Sequence, residues 1–329
     1  KSITVNLRVE EGQKIIKELV KDSDILIENF RPGTLEKWNM SYETLSEINP
    51  RLIMVRVSGY GQTGPYSKRA GFGAIGEAMG GLRYVSGDPS TQPSRMGISI
   101  GDELAAMHAC MGALMAIHAR ERTGKGQVVD SAIYESVLNM MESLVTEHHV
   151  AGYTRERTGP IIPNVAPSNI FETSDQKMIL IAANQDGVFS RLCKVMDRPE
   201  LSSDERYSTH SARGKNQQEL DDLINNWTKT KSLKEVESLC NENGIPAGLI
   251  YKAKDMIEDP HFKAREAIID IEHPEFGLIK MQNVAPKLSR NPGEVRQVGP
   301  KLGEHNNYVF LDILEHRDHL IGQLLLLQL

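Results

Sequence analysis

One carboxylate falls where chemistry is easy to arrange. Gly97-Ile98-Ser99-Ile100-Gly101 leads directly into Asp102, and residues 103–120 contain no Pro and a single Gly, Gly112. Ile98 and Ile100 alternate with Ser99 as in a short strand, and Gly101 permits a sharp exit. The run that follows has helical composition, so Asp102 is expected at a helix N-cap. The unpaired N–H groups and partial positive charge of a helix N-terminus favour a carboxylate by about 0.3–1 kcal/mol. An ionised carboxylate held still can act as a nucleophile. Asp is also among the preferred N-cap residues, so spacing alone leaves both roles open.

Two loops carry the other chemistry-bearing types. Gly59-x-Gly61-x-x-Gly64 resembles a dinucleotide fingerprint, but Pro65 follows directly where close helix packing is required. No acidic residue closes a second strand about 20 residues on. A loop that lets something approach its backbone closely is the better reading, and no nicotinamide cofactor is expected. Asn29-Phe30-Arg31-Pro32-Gly33 sets an amide, an aromatic ring and a cation beside a turn, a combination suited to stacking a nucleotide and meeting a phosphate. His108, His118, His148 and His149 have no ligand-like partners, and Asp175 and Asp186 fall in turns. Structural roles are expected for all of these, and no metal.

The elements around these residues follow from periodicity. Residues 2–7 alternate as a strand does, and residues 10–21 place Ile15, Ile16, Leu19 and Val20 at helical spacing. Residues 24–28 and 51–58 read as buried strands, with a helix ending near Ile48 between them. Strands separated by helical segments predict βαβ units and a parallel sheet, with ligands at the strands' carboxyl ends, where both loops lie. The helix after Asp102 is apolar almost all round (Leu104, Met107, Cys110, Met111, Leu114, Met115, Ile117), which predicts central burial. Thr123-Gly124-Lys125-Gly126-Gln127 turns into a strand at 128–130, and residues 131–150 read as one long helix.

From 158 to 168 the pattern dissolves into Gly, Pro and Asn. Beyond it come a hairpin over 171–183 turning at Ser174-Asp175-Gln176, helices near 189–196, 217–228 and 233–243, and strands at 268–271 and 277–281. The last helical stretch is 304–316. The expected organisation is a large domain over 1–164, a smaller α+β domain over 165–270, and a return to the large domain over 271–329.

With 329 residues, 40% hydrophobic and 25% charged, the chain has ample material for a core. A net charge of -6 provides no basic field for nucleic acid, so an anionic ligand must meet local Lys and Arg. Cys110, Cys193 and Cys240 are far apart and odd in number, which predicts reduced core thiols. No run of about 18 uncharged apolar residues is present, so no membrane span is expected.

Several stretches together resemble the family III (CaiB/BaiF-like) CoA-transferases, the group of formyl-CoA transferase and the carnitine-type transferases. The resemblance runs from Lys1 to about Glu304. It rests on Ile27-Glu28-Asn29-Phe30-Arg31-Pro32-Gly33, Asn49-Pro50-Arg51, Ser58-Gly59-Tyr60-Gly61-Gln62-Thr63-Gly64-Pro65-Tyr66, Gly101-Asp102, Arg122-Thr123-Gly124-Lys125-Gly126-Gln127 with Asp130, Ala166-Pro167-Ser168, and Gly303-Glu304-His305.

The resemblance implies an α/β fold in which a Rossmann-like parallel-sheet domain is formed by both chain ends, with a smaller α+β domain inserted, in an interlocked homodimer. It implies acyl-CoA:carboxylate CoA transfer, with CoA as co-substrate and a small acid, expected to be a dicarboxylate, as acceptor. Asp102 matches the nucleophilic aspartate that forms a mixed anhydride. Asn29, Phe30, Arg31 and Lys37 match CoA-lining positions, as do Ala70, Phe72 and Gly73. Val165, Ala166 and Pro167 match a mobile loop over the active site, Pro-rich here. Ala70 stands where some members have Lys, and Gly73 where formyl-CoA transferase has Glu. The family's α-methylacyl-CoA racemases keep a His-Asp pair where this chain has Phe72-Gly73, so transfer is expected over racemisation.

Members carry a further βαβ segment ahead of residues like 2–7, which this sequence lacks, and residues 316–329 replace the family's acidic closing helix with a Leu run. A CoA-binding or dimer-modulating short form without turnover is the contrasting expectation. The setting implied is intracellular, in cytoplasm or mitochondrial matrix.

Overall fold

The computed structural model describes residues 1–314, and the Leu-rich tail lies outside the described residues. The chain divides into two compact units, Lys1–Arg157 with the segment from Pro300 on, and Thr158–Gly299. These limits differ from the expected 164/165 and 270/271. Gln217 donates to the Ile162 carbonyl, which ties the segment before 165 to the second unit, and Asn283 donates to the Ala267 and Glu266 carbonyls, which keeps the 268–282 hairpin there.

The first unit begins with α1 (Glu10–Val20), β1 (Ile25–Glu28), α2 (Thr34–Lys37), α3 (Tyr42–Ile48) and β2 (Ile53–Ser58). It continues with α4 (Gly73–Met79), α5 (Leu82–Val85), α6 (Ile100–Thr123), β3 (Val128–Ala132), α7 (Ile133–Asn139) and α8 (Leu144–Ala151). The sheet runs β1-β2-β3 with both pairings parallel. β2 is central and buried on both faces, which is why it reads as an unbroken apolar run. Ile53 and Val55 pack on Ala109, Ala113 and Ala116 of α6, while Leu52 and Met54 pack with Val20, Leu35, Met40 and Leu45 on the opposite face.

α6 departs from the expectation of all-round burial. Its small residues Gly101, Ala105, Ala109, Ala113 and Ala116 form the buried stripe, whereas Met107, Leu114 and Met115 are exposed. Small side chains let a helix lie close to a sheet: a Cβ on Gly112 would come within 2.5 Å of Val129 Cγ1. Counting apolar residues does not reveal this, because the bulky ones point away. α6 is also long and apolar enough, by length and composition, to cross a bilayer. Its C-terminus is fixed by Arg120, which is buried and pairs with Asp24 at 2.7 Å, and by Gly124 in the left-handed region.

Three other expectations change. Residues 2–7 are not a strand: Ser2 and Thr4 bond His305 and Asn306, and Ile3 and Val5 pack with Ile15, Val309 and Phe310, so the alternation buries one side without a ladder. The long helix at 131–150 is two helices, α7 and α8, broken around Glu142 at φ +53° and bridged by Arg155 to Glu142 and Glu147. The last helical stretch is a short π-helix, Tyr308–Ile313.

The second unit contains β4 (Ser168–Glu172), β5 (Met178–Ala182), α9 (Asp186–Val195), α10 (His210–Lys215), α11 (Gln217–Thr228), α12 (Leu233–Glu242) and β6 (Ala247–Leu249). α13 (Ala253–Glu258), α14 (Pro260–Ala264), β7 (Ile268–His273) and β8 (Gly277–Gln282) follow. β4-β5-β6 is an antiparallel sheet and β7-β8 a hairpin. Its core includes Phe171, Ile179, Ile181, Phe189, Leu192, Leu220, Ile224 and Val236.

Asp175 has the structural role its turn position predicts. It accepts from Thr173 Oγ1 at 2.7 Å and from the Leu233 N–H at 3.0 Å, joining the β4–β5 turn to α12, and these bonds hold its carboxyl at about 2 instead of 3.8. A depressed carboxyl stabilises the fold above its ordinary value and stops doing so as pH falls through its folded value. Asp175→Asn is therefore expected to reduce stability at neutral pH, with the gap to wild type in urea unfolding closing as pH drops from 3.8 towards about 2. A gap that persists unchanged at the acid end would remove the charge from this account.

Candidate active site

Asp102 lies in the first turn of α6, whose N-cap is Ser99 and whose first residue is Ile100. The helix thus starts before the expected cap, and residues 98–100 form no strand. Asp102 is exposed, and it remains in the positive end of the helix field.

What determines its orientation is α4. An ideal Cβ on Gly73, the first residue of α4, would lie 2.3 Å from Asp102 Oδ2 and 2.8 Å from Oδ1, so the carboxylate rests directly against the Gly73 backbone. A side chain at position 73 cannot coexist with this carboxylate conformer. α4 reaches this position because it is glycine-spaced: a Cβ on Gly76 would meet Ile133 Cγ2 at 2.4 Å, and one on Gly80 would meet Val137 Cγ1 at 2.6 Å, both on α7. Gly101 also faces α4, less tightly: its Cβ would lie 3.1 Å from the Gly73 carbonyl oxygen.

The sequence reading missed Glu77. It is buried on α4, pairs with Arg83 at 2.8 Å and lies 3.5 Å from the Gly101 N–H, so it braces the start of α6. Its signal was a lone acid among closely spaced glycines.

The expected CoA-lining residues all fall in the same unit as Asp102. Asn29, Phe30 and Arg31 follow β1; the Phe30 ring meets Trp38 edge-on at 5.3 Å and is still 39% exposed. Arg31 Nη2 donates to the Lys68 carbonyl at 2.9 Å, which brings this loop beside residues 66–69, where Arg69 stacks over Tyr66 at 3.6 Å. Lys37 is exposed at the end of α2, Ala70 is exposed, and Phe72 is 79% exposed next to Gly73. The glycine-rich loop after β2 supports this second segment: a Cβ on Gly59 would lie 3.0 Å from Gly71 Cα.

Val165, Ala166 and Pro167 belong to the second unit. Ala166 and Pro167 are buried there, and Val165 is half-buried. The fully buried Arg213 donates to the Ala166 carbonyl at 3.1 Å and pairs with Asp186, and Gln217 donates to the Val165 carbonyl at 3.3 Å. The exposed part of this stretch is residues 162–164.

Cys193 and Cys240 are buried as expected, and burial pushes both thiols up to about 11, which makes them inert; Cys110 is exposed instead. Among the described residues no cluster of three His, Cys, Asp or Glu could hold a metal ion.

The Asp102 carboxylate is thus exposed on the glycine backbone of α4, in one unit with the aromatic and cationic side chains of the loops that follow β1 and β2. The sequence profile of CoA-transferase family III matches residues 1–306. The chain belongs to CoA-transferase family III.

Succinyl-CoA–D-citramalate CoA-transferase of Chloroflexus aurantiacus is 55% identical over 314 residues, 95% of this chain and 78% of that protein. Human succinyl-CoA:glutarate CoA-transferase is 31% identical over 326 residues, covering 99% and 74%. A crystal structure of a CaiB/BaiF family protein from Brucella suis superposes with a TM-score of 0.84 at 32% identity, covering 95% of this chain and 81% of that one. This family III protein is a CoA-transferase, and CoA is the co-substrate of such enzymes.

Proposed function

We propose that the enzyme moves CoA from succinyl-CoA to a C4–C6 carboxylic acid through covalent intermediates on Asp102. The seating of the Asp102 carboxylate on Gly73 carries this reading: it leaves the oxygens exposed and beside the segment matched to CoA contacts. The succinyl-CoA donors named for the D-citramalate and glutarate enzymes support the donor class.

In the proposed sequence an Asp102 oxygen attacks the thioester carbonyl, the C–S bond breaks, and CoA leaves as thiolate from a succinyl–aspartyl anhydride. The thiolate attacks the Asp102 acyl carbon, giving an aspartyl-CoA thioester and free succinate. The acceptor carboxylate then attacks that thioester, releasing thiolate and forming a second anhydride. Thiolate attack on the acceptor's acyl carbon yields the new acyl-CoA and regenerates the carboxylate. Every step exchanges one anion for another, so no net proton is taken up. A nucleophile held in place, with water kept from the anhydrides, is what such a sequence requires.

The reading is tested by incubating the enzyme with labelled succinyl-CoA, digesting it, and searching the Asp102 peptide for succinyl or CoA adducts by mass spectrometry. An adduct on Asp102 together with exchange into an acceptor panel is the expected result. CoA binding with neither adduct nor exchange would leave a CoA-binding protein without turnover. The exposed Met107, Leu114 and Met115 on α6 support a homodimer; analytical ultracentrifugation is expected to show a dimer.

A further inference from the structure

Glu28, Arg56 and Asp130 stand side by side on β1, β2 and β3, each in register with the next. Charged residues across a sheet whose strands otherwise carry apolar side chains and two serines, Ser58 and Ser131, need a reason. Arg56 and Glu28 are almost inaccessible, at 8% and 3% side-chain exposure, and are joined Nε to Oε1 at 2.6 Å. The far edge of the guanidinium holds Glu36 of α2 at 2.7 Å.

Each of the two carboxylates flanking Arg56 in register holds a loop. Glu28 Oε2 accepts the Phe30 N–H at 2.7 Å, and Asp130 Oδ2 accepts the Gln62 N–H at 2.9 Å. One end of the row therefore pins the Asn29-Phe30-Arg31 loop, and the other pins the glycine-rich loop. That second loop backs Gly71 through Gly59, and so sets the Ala70-to-Gly73 segment. The Glu36 contact fixes the helix that ends in Lys37.

We propose that Arg56 is a positioning residue that holds the Asn29-Phe30-Arg31 loop and α2 as one platform for the nucleotide end of CoA, beside the glycine-rich loop that its register neighbour Asp130 holds. The proposal rests on the reading that these loops contact CoA. It gives the Arg a role that touches no substrate: its planar fork orients Glu28 and Glu36 together. A Lys at this position keeps the charge and cannot bond both carboxylates in that geometry.

The test compares steady-state kinetics of wild type, Arg56→Lys and Asp130→Ala with two donors, succinyl-CoA and the succinyl thioester of pantetheine, which lacks the nucleotide. For both variants KM for succinyl-CoA is expected to rise about tenfold with a smaller change in kcat, while kcat/KM for the pantetheine thioester changes much less. A purely structural role would change both donors alike, and either that result or an unaltered KM for succinyl-CoA would overturn the proposal. Asp130 is exposed, so Asp130→Ala keeps the question answerable if Arg56→Lys folds poorly. Wild type that handled both thioesters equally well would instead defeat the reading that the loops bind CoA.

Discussion

Asp102→Asn is expected to abolish transfer, lowering kcat by about 10³-fold or more, while fold and CoA affinity are retained. The amide is nearly isosteric, so its contact with Gly73 persists, but it cannot form an anhydride with an acyl group. Among the described residues the Asp102 side chain makes no hydrogen bond, so the substitution breaks no structural tie, and thermal unfolding should be little changed. This separates it from Arg56→Lys, where affinity for the CoA thioester falls first. The measurement is isotope exchange between succinate and succinyl-CoA, with CoA binding followed calorimetrically. Because Asn can deamidate back to Asp, Asp102→Ala is measured alongside it. Activity retained in both variants would remove Asp102 from the chemistry.

The parts of this fold that sequence made legible are those in which one physical signal dominates. β2 reads as an apolar run because both of its faces are covered, and the Thr123-to-Gln127 turn is legible because a Cβ on Gly126 would come within 1.8 Å of the Leu52 carbonyl. The hairpin turn at Asp175 and the break at Pro260 follow from turn and cap chemistry, with Asp259 accepting from the His261 and Phe262 N–H groups. Where two causes give one pattern, sequence misleads. Residues 2–7 alternate because Ile3 and Val5 pack inwards, yet their polar groups bond residues 303–306 and make no strand ladder.

The site was legible in a similar measure. Asp102 was found at a helix start, but the start lies earlier because Ser99 takes the cap. Which side of α6 is buried depends on side-chain size, which an apolar count ignores. The charged row was present as Arg56 inside an apolar strand, but its meaning needed the register that brings Glu28 and Asp130 beside it. The resemblance matches Ala166 and Pro167 to a loop over the active site, and sequence gives no sign of the buried Arg213 that donates to the Ala166 carbonyl.

Gly73→Ala is expected to separate stability from activity in opposite directions. The three nearest atoms to the added Cβ all belong to the Asp102 carboxyl group, at 2.3 to 2.8 Å, so the one accommodation required is rotation of that side chain. Ala is also favoured over Gly in a helix by up to about 1 kcal/mol, so unfolding should be unchanged or occur at higher temperature. The carboxylate, however, must leave its place on the α4 backbone for another rotamer, and a nucleophile displaced by about 1 Å can lose on the order of 10²-fold in rate. The expected result is a large fall in kcat with little change in KM for succinyl-CoA. Gly76→Ala is the contrasting variant: its Cβ would collide with Ile133 at 2.4 Å, push α4 away from α7, and lower stability and activity together. Should Gly73→Ala transfer CoA at the wild-type rate, the seating of Asp102 on Gly73 would not be the working position of the nucleophile, and the productive rotamer would have to be one that tolerates a side chain there.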